Sequence, residues 1–401
     1  MAKTRSTNGT TTREKLDEGP GETRDVTRHI PKEISEVLWG RAAGRCEFEG
    51  CNQPLWKSPV TQEPVKIAER AHIYAFGEEG PRSEAEFRAT GLNGLDNLLL
   101  VCRNCHRTID QHKDGGRYSA SVLHAMKSAH ESRVELVTGI VPSLRSHVLL
   151  YSTNIGEHKL LPSFNDASAA MFPERLPGSD QPIELGLNGS ATQEHDAAFW
   201  ELESSQLKSC FERRVRDRIQ ASSDRIEHLS VFAIAPQPLL VLLGTLLGEI
   251  VPSRLHQRRR EPTTWTWGSG DEPLELVVEE PANKAGVPAL VLGLSATITS
   301  DRITRVLGED VALWHVTVPD PHNDLLRTEL HLSQWRTALR KLFDAIKAAH
   351  GQTALLHVFP AVPVSAAVEV GRTRMPKADM PWQLYDQVNQ LGGFVPALCI
   401  S

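Results

Sequence analysis

The sequence predicts an α/β protein in two unequal parts: a small N-terminal module closed by a metal, and a larger C-terminal domain of alternating strands and helices. Three observations lead there. Four of the six cysteines in the 401-residue chain form two close pairs, Cys46/Cys51 and Cys102/Cys105. That is the arithmetic of a metal site in a reducing compartment, not of a disulfide scaffold. After Arg225, short apolar runs alternate with helical patterns, as in a domain with a parallel sheet. Between these regions lies a mixed stretch without sustained periodicity. The length allows two or three domains, each with a sizeable core.

Taken in order, residues 1–26 are rich in Thr, Gly and charge and read as a flexible N-terminus. IPKEISEVLWGRAAGR (30–45) reads as a short helix. Pro31 suits its first turn, Ile34, Val37 and Leu38 share a face, and Gly44 ends it. The cysteines and several histidines follow, then a helix from Ser119 to about Glu135, so that residues 27–140 make the first domain. Residues 141–195 read as a linker region: HVLLYST suits a strand, but PSFNDASAAMFPERLPGSDQP is mostly loop. A strong amphipathic helix is expected within 197–220, opening a second domain over 196–401. There HLSVFAIA, LELVVEE, ALVLGLSA, ALWHVTVP and TALLHVFPA read as strands, and 238–249 and 335–350 as helices. ALVLGLSA has the continuous apolar character of a buried parallel strand. Two related halves are conceivable, although no exact repeat is evident.

Several classes are excluded. No run of eighteen apolar residues exists, so a spanning helix is not expected. The polar start has no apolar signal core, which points to the cytoplasm and away from secretion or a membrane. A net charge of -6 does not announce a nucleic-acid binder, though a local basic surface is enough for one.

The cysteine spacings, Cys46-x4-Cys51 and Cys102-x2-Cys105, suit two thiolate pairs on tight turns that close a tetrahedral zinc site. Four sulfurs leave no open position, so the zinc is structural and chemistry must come from elsewhere. Cys210 and Cys399 are isolated and read as buried small hydrophobes. His72 sits in a strand-like segment, Asn97 in GLDNLLLVC, and His106 directly after Cys105. A histidine on a strand can face a metal ligand carried by a helix, with zinc clamping the two together.

LWGRAAGRCEFEGC, ERAHI, GLDNLLLVCRNCH and the trailing ID, over about 38–115, resemble the HNH family of endonucleases in its four-cysteine, zinc-stabilised form. The resemblance implies a ββα-metal fold in which His72 is the general base that activates water against a DNA phosphodiester. Asn97 would hold the His72 ring, and His106 would ligate a catalytic Mg²⁺. Many members place an Asp or His before the catalytic histidine, where this chain has Ala71, so Glu69 is the preferred second Mg²⁺ ligand, ahead of Asp110 and His112. Arg41, Arg45, Arg103 and Arg107 flank this site and are the expected phosphate contacts. Residues 1–140 carry twenty Lys plus Arg and twenty Asp plus Glu, so the module alone should grip double-stranded DNA weakly and with little sequence preference.

The second domain's most unusual string is RLHQRRREPTTWTWG, in which Arg258 and Arg260 could meet phosphates and Trp265 or Trp267 could stack a base. With SVFAIAPQPLLVLLGTLLGE, LVLGLSA and LLHVFPAVPVSAAVEVGR, over about 200–401, it resembles the SAVED domain. That resemblance implies two fused Rossmann-like, CARF-like units that sense a cyclic oligonucleotide, here expected to be a cyclic dinucleotide. Ser295 and Ala296, with His357, Pro360 and Ala361 in the second half, would stand at strand ends facing the ligand. HNH followed by SAVED is similar to effector nucleases of bacterial anti-phage CBASS signalling. It implies a homo-oligomer, a dimer at rest and a higher assembly such as a tetramer when activated. Two other readings stand beside it: a restriction enzyme whose C-terminal half reads DNA directly, and a zinc-bearing adaptor with a decayed site. The first sits poorly with twenty-four Lys plus Arg against thirty Asp plus Glu over 141–401.

Overall fold

The computed structural model describes residues 29–76, 82, 91–111, 116–153, 162–186, 192–193, 195–196, 198–388 and 393–401. The expected flexible N-terminus, 1–26, and His112 lie outside the described residues. The chain divides into two compact units, Met1–Leu136 and Val137–Ser401.

In the first unit, α1 (Lys32–Arg41) starts after Pro31 and buries Leu38, while Val37 stays exposed. Gly44, at φ +62°, then turns the chain toward Cys46. A Cβ there would lie 2.9 Å from the Trp56 ring and 3.3 Å from Trp39, so the position needs glycine on both counts. β1 (Ala68–His72) pairs antiparallel with β2 (Leu98–Cys102), Glu69 opposite Val101 and His72 opposite Leu98. β2 is buried throughout and runs directly into α2 (Arg103–Ile109). A longer helix, α3 (Ala120–Thr138), follows. Leu38, Leu55, Ile73, Leu98–Val101, Ile109 and Leu123 form this unit's core.

The second unit begins earlier than the sequence suggested. Residues 141–195, expected as a linker, contribute β3 (Arg145–Ser152), α4 (Phe164–Met171), β4 (Leu176–Pro177) and β5 (Ile183–Glu184). β3 is an inner strand: it lies parallel to β6 (Leu229–Ile234) from His147 to Ser152 and also pairs with β4 and β5. Seven of its eight residues are buried, and burial on both faces removes the alternation that marks a half-exposed strand. The expected amphipathic helix is α5 (Phe199–Phe211), continued as a π-helical turn over Glu212–Arg216. After β6 come α6 (Gln237–Leu247) and β7 (Ser253–Leu255), and the first sheet runs β4-β3-β6-β7. TTWTWGSG is not a continuous strand, since only β8 (Arg259–Arg260) and β9 (Thr263–Thr264) form a short ribbon.

The second sheet takes β10 (Val277–Glu279), β11 (Val287–Gly293), β12 (Val311–Thr317), β13 (Leu356–Ala361), β14 (Trp382–Val388) and β15 (Gly393–Ile400). Its order is β10-β12-β11-β13-β14-β15, with the middle four parallel and both edges antiparallel. α7 (Ser300–Leu307) links β11 to β12, α8 (Glu329–His350) leads to β13, and α9 (Val364–Thr373) leads to β14. Cys210 is buried as expected, but Cys399 is exposed, because the alternation of the edge strand β15 turns its side chain outward.

The two halves meet where α6 packs on α9. Pro236, Val241 and Gly244 recur in Pro363, Val368 and Gly371 at the same offsets. A Cβ on Gly244 would run into the backbone of Val368 and Arg372, and one on Gly371 into that of Val241 and Thr245. The repeat that composition hid is therefore a reciprocal backbone contact. One hydrophobic core, from Leu149 to Ile400, runs through both halves.

Candidate functional site

In the first unit Cys46, Cys51, Cys102 and Cys105 offer four sulfurs within 4.8 Å of one another. This is the one such group of three or more His, Cys, Asp or Glu among the described residues. Tetrahedral zinc with Zn–S near 2.3 Å sets sulfurs about 3.8 Å apart, and Cys51 Sγ lies 4.0 Å from Cys102 Sγ. The Cys102 amide donates to Cys46 Sγ at 3.3 Å and the Cys105 amide to Cys102 Sγ at 3.4 Å. Backbone N–H groups aimed at sulfur favour the thiolate. Burial works the other way, pushing the Cys46 thiol up to about 12 and raising that of Cys105. A dication among the sulfurs is what reconciles the two, so the donor set fits zinc.

β1, β2 and α2 bring the expected site residues into two groups. In the first, His106 on α2 faces Glu69 on β1, with Nδ1 2.5 Å from Oε2. Asp110, one turn on, lies 3.4 Å from the other ring nitrogen, Nε2. The two carboxylates thus hold opposite edges of one imidazole. Arg103 Nε lies 4.0 Å from Glu69 Oε1 and is the one expected DNA-contacting arginine that joins this group by a described ion pair. Arg41 pairs with Glu131, Arg45 donates to the Asn52 carbonyl beside Trp56, and Arg107 is exposed. Both ring nitrogens are thus taken by carboxylates, and one of them has to yield before His106 and Glu69 could share a divalent ion.

The second group corrects a role. Asn97 is fully buried and does not hold the His72 ring. Its Oδ1 accepts from the Tyr74 amide at 2.7 Å, and its Nδ2 donates to the Tyr74 and Leu92 carbonyls at 3.2 and 2.9 Å. It fixes the backbone just after β1. The residue that touches His72 is Asn93, whose Oδ1 lies 3.1 Å from Nε2. Asn93 Nδ2 donates to the His29 carbonyl at 3.2 Å, which orients the amide. Because Oδ1 can only accept, His72 must carry its proton on Nε2, leaving the Nδ1 lone pair free as a base. Both asparagines stand in GLNGLDN, and nothing in that string ranks one above the other.

In the second unit Ser295 and Ala361 do meet at adjacent strand ends, the Ser295 amide donating to the Ala361 carbonyl at 2.7 Å. Ala296 beside them is exposed, and Ser295 Oγ is buried with no hydrogen-bond partner among the described residues. Other expected residues are engaged elsewhere. His357 lies near the start of β13, opposite Ala289, with Nδ1 2.9 Å from the Tyr385 hydroxyl, and burial lowers its pKa. It is a half-buried histidine, hydrogen-bonded to Tyr385, at the start of the strand and not at its ligand-facing end. Pro360 is buried opposite Leu292. Trp265 is 2% exposed, set edge-on to Phe232 with the Arg258 guanidinium 5.6 Å over its ring, so no face is left for a base. Trp267 is half-buried and donates from Nε1 to the Leu255 carbonyl. The Arg260 side chain is exposed, and its backbone amide donates to Asp324.

Residues 211–400 match the family model described as the SMODS-associated and fused to various effectors sensor domain, SAVED. The C-terminal unit carries a SAVED domain. Among solved structures, the chain is similar to the Acinetobacter baumannii Cap4 SAVED/CARF-domain containing receptor with the cyclic trinucleotide 2'3'3'-cAAA, at 16% identity and TM-score 0.40, covering 55% of this chain and 51% of that one. The same receptor described without a ligand gives 15% and 0.36, over 55% and 49%. The Moraxella osloensis Cap4 receptor gives 17% and 0.35, over 55% and 50%. The match thus spans about half the length of these SAVED receptors. No curated protein matches the chain. Among the described residues, no helix is long and apolar enough to cross a membrane.

Proposed function

We propose that the chain is a cyclic-oligonucleotide-gated DNA endonuclease of the CBASS type, its first unit an HNH-like ββα nuclease and its SAVED domain the sensor. The observation that carries the nuclease half is the amide lock on His72: Asn93 accepts from Nε2 and leaves Nδ1 free to take a proton from water. Support also comes from the order β1, β2, α2, with His106 and Glu69 facing each other across it. His106 and Glu69, with Asp110 next to them, would hold a divalent ion such as Mg²⁺. When bound, the ion would supply charge stabilisation to the phosphate and the leaving oxygen. Asn97 holds the chain after β1, and Arg103 offers a phosphate contact at the mouth. The zinc cluster ties β2 and α2 to the Cys46–Cys51 loop and takes no part in the chemistry.

On the sensor side, Ser295, Ala296 and Ala361 at the ends of β11 and β13 are the proposed contacts for a cyclic di- or trinucleotide, with Arg258, Arg260 and Trp267 nearby in sequence to the first half's strand ends. Ligand that binds an oligomer more tightly than the resting form gathers nuclease units and multiplies their grip on DNA. The test is plasmid cleavage with Mg²⁺, with and without a panel of cyclic di- and trinucleotides, beside His72→Ala. Cleavage with one ligand only, lost in the variant, is the expected result. Cleavage without ligand sinks the gating, and cleavage by His72→Ala sinks the assigned base.

A further inference from the structure

A cleft of about 410 Å³ opens in the second unit, away from the strand ends discussed above. It is walled by Glu174 and Arg175 just before β4, by His228 at the start of β6, and by β7. Glu329, Leu332, Ser333 and Arg336 of α8 and Arg372 of α9 complete it. Four guanidinium groups line a space large enough for a mononucleotide-sized ligand.

Their partners are unevenly placed. Arg254 is held between Glu174 at 3.2 Å and Glu329 at 2.5 Å. Arg336 and Arg372 share one carboxylate, Glu369, which is wholly buried behind them. Arg175 is half-buried and makes no ion pair among the described residues. Two cations on one carboxylate and a third with none leave these three in excess positive charge, while Glu174 and Glu329 are both engaged by Arg254. His228 lies among these cations. Burial first, then Arg175, Arg254 and Arg372, lower its pKa to about 4, so it is neutral at physiological pH. Its Nδ1 lies 2.8 Å from Ser146 Oγ, which fixes the ring.

We infer that this cleft is a binding site for a sugar or nucleoside monophosphate, distinct from the proposed sensor contacts. Arg175, Arg336 and Arg372 take the phosphate, and Glu174 and Glu329 accept from sugar hydroxyls. Guanidinium forks match phosphate oxygens in pairs. The same two carboxylates, one on each side of Arg254, repel a second phosphate, so polyphosphates and cyclic oligonucleotides are disfavoured.

The inference rests on the sensor reading only for the claim of distinctness, and the experiment separates the two. Full-length protein is titrated calorimetrically with 5'-AMP, ribose 5-phosphate, inorganic phosphate and adenosine. AMP and ribose 5-phosphate should bind more tightly than inorganic phosphate, and adenosine should not bind. Arg175→Ala should weaken both esters at least tenfold. Ser333 is exposed on the cleft wall and takes part in none of these ion pairs, and Ser333→Glu, which adds a negative charge beside Arg336, should do the same. Circular dichroism confirms that both variants fold. Titration curves unchanged in both variants, or no heat with either ester at millimolar concentration, overturn the site. Loss of cyclic-oligonucleotide binding in Arg175→Ala overturns the distinctness and makes this cleft the sensor pocket itself.

Discussion

Gly371→Ala is a small change with a large expected cost. The new Cβ would stand 2.7 Å from the Thr245 amide and closer still to the Val241 carbonyl oxygen, where real Cβ atoms essentially never come within 3.0 Å. Both obstacles are backbone of a fully formed helix, so no side chain can swing aside. The helices must separate, which forfeits packing along the α6–α9 contact. Overpacking of this kind costs about 3 kcal/mol, and the better helix propensity of alanine returns about 1 kcal/mol. The net loss is on the order of 2 kcal/mol, or roughly 4–8 °C in Tm for a unit of this size. Urea unfolding followed by the fluorescence of the buried Trp314, Trp335 and Trp382 reads it directly. Gly244→Ala should cost the same. The double variant should cost less than the sum, because helices already parted for one methyl have room for the other. Gly40→Ala, with nothing within 4 Å, is the control and should be neutral or slightly stabilising. A neutral Gly371→Ala, or a fully additive pair, would refute the close-contact argument.

Three further outcomes are expected. Purified protein should carry one zinc per chain by elemental analysis, and Cys46→Ser should lose the metal and the thermal transition of the first unit together. In plasmid cleavage, His72→Ala should lower the rate by about 10²–10⁴-fold. Asn93→Ala should lower it less and alter the pH profile by releasing the ring tautomer, while Asn93→Asp should keep the tautomer and most of the rate. His256 is buried against Phe232, ring centroids 4.2 Å apart, and burial first, then Arg254, lower its pKa to about 3. The unfolded chain therefore binds a proton there that the folded chain refuses. The stability of keeping the ring neutral is complete above the ordinary imidazole range near 6.5 and drains away as pH falls toward 3, at up to about 1.4 kcal/mol per pH unit. His256→Gln should flatten the fall in urea midpoint between pH 6.5 and 5, and an unchanged pH slope would show that His256 is not responsible.

Much of the first unit was legible because metal ligation leaves a rigid imprint on spacing. Two close cysteine pairs imply four converging sulfurs whatever the chain does between them, and His106 beside Cys105 fixes which helix carries it. The amide lock was not legible, since Asn93 reaches His72 through a loop whose path depends on the His29 carbonyl, 64 residues away. In the second unit, β11 announced itself by continuous apolar character, and β13 read as a strand within TALLHVFPA. β3 was legible as a strand in HVLLYST, but its place inside a sheet was not, because it precedes a long stretch of loop-like composition and finds its partner, β6, across some eighty residues. Trp265 and Trp267 alternate as they would on an exposed strand, yet Phe232 and Arg258 enclose the first and the Leu255 carbonyl engages the second. Alternation reports a face of the chain and says nothing of what covers that face.

The reciprocal glycines have a mechanical consequence. Where side chains interdigitate, two helices can slide by trading rotamers. Where backbone rests on backbone there are no rotamers to trade, and sliding needs whole helices to climb over carbonyl groups. Gly244 and Gly371 act as a pair of dowels driven from opposite sides, and the roughly 10 Å of helix between each helix start and its dowel leaves little play. Strain introduced at the ends of β6 or β13, the strands that feed these helices, is therefore not absorbed at the seam between the halves. It would appear at the rim, in the loops that cap the strands, and a ligand bound at the proposed contacts would change the shape of the domain there.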